Sequence, residues 1–171
     1  DVGLWLLGHA ATPGGTWYDE SQLTLFLSPK AVFNKGEPSR CEGFSEGALR
    51  LCFAPVEGTA HSGEPLAVAL EWTAMKAIPT DYIVFLHAIG PESPVPLAQQ
   101  DSRAVNQLRP TFTWQPGETV RDIRAVNLPP ATPGGYREVE LRVGLYDAAT
   151  LERLPADSGG DSVLIGSLWL E

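Results

Sequence analysis

The sequence predicts an all-β fold: an antiparallel β-sandwich, Ig-like or jelly roll, of seven to eight strands, with a short N-terminal strand-helix appendage. Three observations carry this reading. From Ala48 onward, apolar residues recur at every second position. The alternating runs are short and separated by turn signals such as Ser62-Gly63-Glu64-Pro65, Gln115-Pro116-Gly117-Glu118, Pro133-Gly134-Gly135 and Ser158-Gly159-Gly160. The 17 glycines and 15 prolines are spread without a period, which suits many turns and excludes collagen.

The elements follow in order. Residues 2–7 form a short apolar run, read as one strand, and Thr12-Pro13-Gly14-Gly15 reads as a turn. Asp19 followed by Gln22 resembles a capping box, and Leu23, Phe26 and Leu27 follow at helical spacing. A helix is therefore expected over 19–28, stopped by Pro29. Residues 34–47 are polar and Gly-rich and read as a linker. Residues 1–40 are thus taken as the appendage and 41–171 as the sandwich.

Leu49-Arg50-Leu51-Cys52-Phe53 opens the period of two. Leu66, Val68, Leu70 and Trp72 share one face of the next strand. Residues 82–89 (YIVFLHAI) are apolar on both faces, as in a strand between two layers. Strands are expected over 95–100 and 120–128. Val139, Leu141, Val143 and Leu145 alternate with Glu138, Glu140, Arg142 and Gly144, the cleanest half-buried strand in the chain. Residues 163–170 close the domain.

Composition narrows the function. The chain has 171 residues, 43% of them apolar, enough for one domain with a sizeable core. Its formal charge is −9, which disfavours nucleic acid and anionic lipid headgroups as partners. No apolar run reaches the roughly 18–20 residues that span a bilayer. The chain opens at Asp1 without a basic leader, so any signal peptide is expected to have been removed or to lie in a longer parent. No Asn-x-Ser/Thr sequon occurs.

Cys41 and Cys52 are the two cysteines, and with His9, His61 and His87 they complete no zinc pattern. They are either two buried thiols or a disulfide closing a small loop. The disulfide is the expectation, and it implies an extracytoplasmic location.

No nucleophile elbow, HExxH motif or phosphate loop is present, and neither a metal nor a cofactor is expected. His87 is either a ligand or base, or a strand histidine with a satisfied ring; the latter is expected. Asp101 is a candidate ligand residue, with a turn-stabilising role as its rival. Asp157 and Asp161 flank a Gly-Gly turn but depart from the EF-hand pattern. Among Trp5, Trp17, Trp72, Trp114 and Trp169, Trp114 lies in a polar Pro/Gly-rich stretch. It is the candidate sugar platform, with Gln115, Glu118 and Asp122 as hydrogen-bonding neighbours. The rival role for Trp114 is a plug at one end of the sandwich, and Trp72 is expected in the core.

Several segments in order resemble a family. They are Leu70-Glu71-Trp72, residues 81–87, Gln100-Asp101, Pro110-Thr111 with Trp114-Gln115-Pro116-Gly117-Glu118, Asp122, Tyr136, residues 143–147, Thr150 and Arg153-Leu154-Pro155. Residues 48–170 resemble the C-terminal extracytoplasmic β-sandwich domain of bacterial membrane glycosyltransferases, which are similar to dolichyl-phosphate-mannose protein mannosyltransferases. In those proteins the catalytic acids lie in the membrane-embedded part, so the resemblance carries no catalytic residue to this chain. It implies a non-catalytic accessory module, extracytoplasmic, with a membrane glycosyltransferase or other surface protein, or a glycan, as partner. A structural subunit of a bacterial surface complex without sugar binding is the alternative, and a hydrolase with a dispersed site is a remote one.

Overall fold

A computed structural model describes residues 11–18, 21–27, 32–91, 93, 95–130 and 138–171, the first two segments by backbone only. The expected strand over 2–7 and the turn at Pro133 fall outside them. The strands are β1 (Ala11–Tyr18), β2 (Ser21–Leu27), β3 (Arg40–Phe44), β4 (Leu49–Phe53), β5 (Val56–Ala60), β6 (Pro65–Ala74), β7 (Tyr82–Ile89), β8 (Pro96–Ser102), β9 (Thr119–Asn127), β10 (Glu138–Asp147) and β11 (Val163–Leu170).

Nine of these strands form two packed sheets, one ordered β3-β4-β6-β9 and the other β5-β11-β10-β7-β8. The expected β-sandwich is therefore present. Pairing is antiparallel except between β11 and β5, which run parallel. β11-β10-β7 facing β4-β6-β9 is the G-F-C against A-B-E order of Ig-like sandwiches, which decides against the jelly roll.

The core follows from the alternation. Leu49 and Leu51 of β4, Val68, Leu70 and Trp72 of β6, Val84 and Leu86 of β7, and Val139, Leu141, Val143 and Leu145 of β10 are all fully buried between the sheets. Trp72 lies in the core as expected, its ring 5.8 Å from that of Phe44.

Three expectations near the N-terminus are corrected. Residues 21–27 form strand β2, not a helix, and pair antiparallel with β1 from Tyr18↔Ser21 to Ala11↔Leu27. Leu23, Leu25 and Leu27 also fit a period of two, and pairing with β1 decides between the periods. The expected turn at Thr12 lies inside β1, as a register irregularity between Ala11 and Gly14. The stretch 34–47, expected as a linker, contains edge strand β3 and a buried anchor. β4 leaves its sheet after Phe53, and β5 joins the opposite one. Residues 32–34 fill the vacated edge of β6. The Phe33 N–H donates to the Ala67 carbonyl at 2.7 Å, and Asn34 accepts the Ala69 N–H while donating to the Ala54 and Ala69 carbonyls.

Candidate functional site

Trp114 follows a single 3-10 turn, Thr111–Thr113. The fully buried Thr111 fixes that turn: its Oγ1 donates to the Thr80 carbonyl at 2.7 Å and accepts the Tyr82 N–H at 2.8 Å. The Trp114 ring is 2% exposed, and its Nε1 donates to the Arg109 carbonyl at 3.1 Å. A face so enclosed offers no sugar platform. Trp114 is the plug, and its polar neighbours in sequence line the outside of the loop. Gln115 is exposed, and its backbone N–H donates to Glu118 Oε2 at 2.9 Å. Glu118 also pairs with Arg109, whose hydrogen bond, with that from Gln115, holds the Glu118 carboxyl below its ordinary value.

Asp122 lies inside the sandwich, 1% exposed, so it is not a sugar-facing group. Val120, Asp122, Arg124 and Val126 share the inward face of β9 and are all buried. Asp122 Oδ2 accepts Arg124 Nε at 3.0 Å, and Oδ1 accepts the Val105 N–H at 2.9 Å. Arg124 reaches across to the opposite sheet. Its Nη1 donates to the Val84 carbonyl and Gln100 Oε1, and its Nη2 to the Ser102 carbonyl and Oγ. Every guanidinium N–H thus has an acceptor, as a buried charge requires. Burial pushes the Asp122 carboxyl up and the Arg124 guanidinium down, each opposed by the other's charge. The pair clamps β9 to β7 and β8.

Asp101 lies on the outer face of β8, opposite Phe85 of β7. It stands 3.3 Å from His87 Nε2, although that nitrogen makes no well-formed hydrogen bond. The expected satisfied ring is therefore not what His87 shows at Nε2. His87 is buried, and its ring lies 4.5 Å from that of Phe85. Arg153 covers Phe85 at 4.7 Å in a cation–π contact. Gly144 lies beneath, where a Cβ would come within 2.4 Å of the Phe85 ring. Partial burial, then the charge and hydrogen bond of Asp101, push the nearby Tyr146 phenol up.

Asp157 and Asp161 serve separate structural bonds. The Asp157 carboxylate accepts the Glu46 and Gly47 N–H groups at 3.0 Å each, holding a β3–β4 turn in which Ser45, Glu46 and Gly47 are all left-handed. Gly43 makes room for it, since a Cβ there would overlap the carboxylate. Asp161 pairs with Arg153 at 2.9 Å. Cys41 and Cys52 face each other across β3 and β4 and are joined by the expected disulfide.

The tryptophan that sequence reasoning passed over is Trp169, 56% exposed on β11. An unbroken alternation from the buried Val163 and Ile165 would turn Trp169 inward. The β10–β11 register shifts where Leu141 pairs with Gly166 and Arg142 with Leu164. This bulge reverses the phase, so Leu168 enters the core and Trp169 faces out. Gly166, in a strand and before the last alternating pair, is the signal that could have revealed it.

No known protein family matches the chain, and no curated protein is significantly similar to it in sequence. No helix among the described residues is long and apolar enough to cross a membrane.

Proposed function

We propose that this chain is a non-catalytic, extracytoplasmic β-sandwich module accessory to a membrane glycosyltransferase, which it serves by recognising glycan or acceptor or by docking a partner. The observation that carries the reading is the Cys41–Cys52 disulfide, which pins an edge strand to the sandwich. Such cross-links persist in oxidising compartments and are rare in the cytosol. The resemblance of the ordered motifs to transferase-attached sandwiches is what suggests the transferase. Four carboxylates that the sequence singles out support the non-catalytic part, because each is committed to the fold. Asp122, Glu118, Asp157 and Asp161 are each taken up in a bond that holds the fold.

The test is made in cells that produce the protein from its own reading frame. Cys41 and Cys52 should resist a membrane-impermeant maleimide until a reductant is added, and then react in intact cells. Deleting the module should lower glycosyl transfer by the transferase encoded with it. Thiols that react only after lysis, without reductant, would place the chain in the cytosol and overturn the reading. A transferase indifferent to the deletion would remove its accessory role.

A further inference from the structure

We infer that the outer face of the five-stranded sheet, around Trp169, is a binding platform for a neutral, hydroxyl-rich oligosaccharide. The inference rests on the accessory-module reading and names the ligand class and the surface.

The register builds the platform. Trp169 stands between Thr59 of β5 and Glu138 of β10, and Ser167 between Glu57 and Glu140 in the adjacent row. Val56 and Ala60 turn into the core, so Glu57 and Thr59 turn out. Val139 and Leu141 turn in, so Glu138 and Glu140 turn out. Trp169, Glu57, Thr59 and Glu138 are all exposed. Glu140 is tied to Arg142 at 3.0 Å, whereas neither Glu57 nor Glu138 has an ionic partner among the described residues. Neighbouring strands lie about 4.8 Å apart, so the Thr59–Trp169–Glu138 row spans about 10 Å, enough for a short oligosaccharide.

The chemistry selects the occupant. An exposed indole face receives the CH side of a pyranose, while carboxylates and hydroxyls beside it bond the ring's hydroxyl groups. The same carboxylates oppose other occupants. They repel anionic lipid headgroups and uronic acid polymers. In a two-fold dimer each patch faces its own copy, which would set Glu57 and Glu138 against like charges.

The experiment titrates the intact protein with neutral oligosaccharides of mannose, glucose and N-acetylglucosamine, and with an oligouronate, following tryptophan emission and heat. A single open platform gives a dissociation constant on the order of millimolar. At least one neutral oligosaccharide should bind, shifting emission to the blue, and the oligouronate should bind more weakly than each neutral sugar that binds. Trp169→Ala should weaken binding by about tenfold or more with the melting temperature unchanged, and Trp169→Phe should restore part of it. Glu138→Gln should cost less than Trp169→Ala. Absence of binding across the neutral panel at tens of millimolar would overturn the proposal, as would binding that survives Trp169→Ala. A dimer that Trp169→Ala dissolves would reassign the face to a second copy. Thiol labelling in cells does not involve Trp169, so failure of the titration leaves the compartment and partner reading intact.

Discussion

The buried carboxylate of Asp122 holds the N–H of Val105 at 2.9 Å, and Val105 is a β-branched residue at φ +52°. Val105, Asn106 and Gln107 are all left-handed, a run that side chains disfavour. One oxygen of Asp122 thus fixes a strained turn while the other fixes Arg124, which bridges to the opposite sheet. Removing Asp122 would leave a buried guanidinium uncompensated and the turn unsupported. Asp122→Ala is expected to destabilise the domain by about 3–5 kcal/mol in urea melts. Asp122→Ala combined with Arg124→Met should cost less than the two single changes added together. Strict additivity would show that the two groups do not act as a unit.

The disulfide joins directly opposed residues of β3 and β4 that are 11 positions apart in sequence. By chain entropy, closing so small a loop contributes about 2–3 kcal/mol. Replacing both cysteines by serine should lower stability by that amount. Intact mass should rise on reduction by one hydrogen for each sulfur. An unchanged mass would mean that the thiols are free.

Leu141 is fully buried in the middle of β10, and Arg142 beside it faces out, paired with Glu140 at 3.0 Å. Leu141→Ala should cost about 2–5 kcal/mol. Arg142→Ala removes a half-exposed ion pair and should cost under about 1 kcal/mol. Equal costs for the two would mean that the faces of β10 are reversed.

What the sequence made legible was what alternation encodes. Val139 to Leu145 and Leu66 to Trp72 each pair one apolar face with one core, so their phase alone fixes their orientation. β3 and β5 were not legible, because RCEGF and VEGTA carry too few apolar residues to set a phase. Their strand state comes from pairing with β4 and β11. The short apolar run of β2 fits two periods, and only its pairing with β1 selects the strand. At the site, Asp122 is in phase with Val120 and Val126, which places it inside the sandwich and not among sugar ligands. Treating Asp122 and Arg124 as inward polar residues that need each other would have found the clamp. Trp169 was hidden by a bulge, which reverses every side chain beyond it.

Trp114 fills one end of the sandwich with its indole N–H bonded to the Arg109 carbonyl. Truncation leaves a large cavity and frees that carbonyl. Trp114→Ala is expected to cost about 3–5 kcal/mol, comparable to other buried aromatic deletions. In calorimetry the melting transition should drop by many degrees. A variant that keeps the parent's melting temperature would contradict the plug role.

Glu118 gives the domain a pH dependence whose sign is fixed. Its carboxyl lies below the ordinary value of 4.5, first through the hydrogen bond from Arg109 and then through the Gln115 N–H. The unfolded chain therefore takes up this proton before the folded one does. The interaction is fully present above about pH 4.5 and is lost as pH falls through the folded-state value. Both side chains are partly exposed, 37% for Arg109 and 29% for Glu118, so the contribution is under about 1 kcal/mol. Glu118→Gln keeps an acceptor for Gln115 but no charge for Arg109. The stability gap between parent and variant should be constant near neutrality and close as the pH is lowered below 4.5. Asp122, whose carboxyl is pushed up by burial, slopes the other way in both proteins and cancels in the difference. Urea midpoints measured on both chains between about pH 6 and pH 3 decide it: a gap that stays constant to the acid limit means that the Arg109–Glu118 pair does not stabilise the fold.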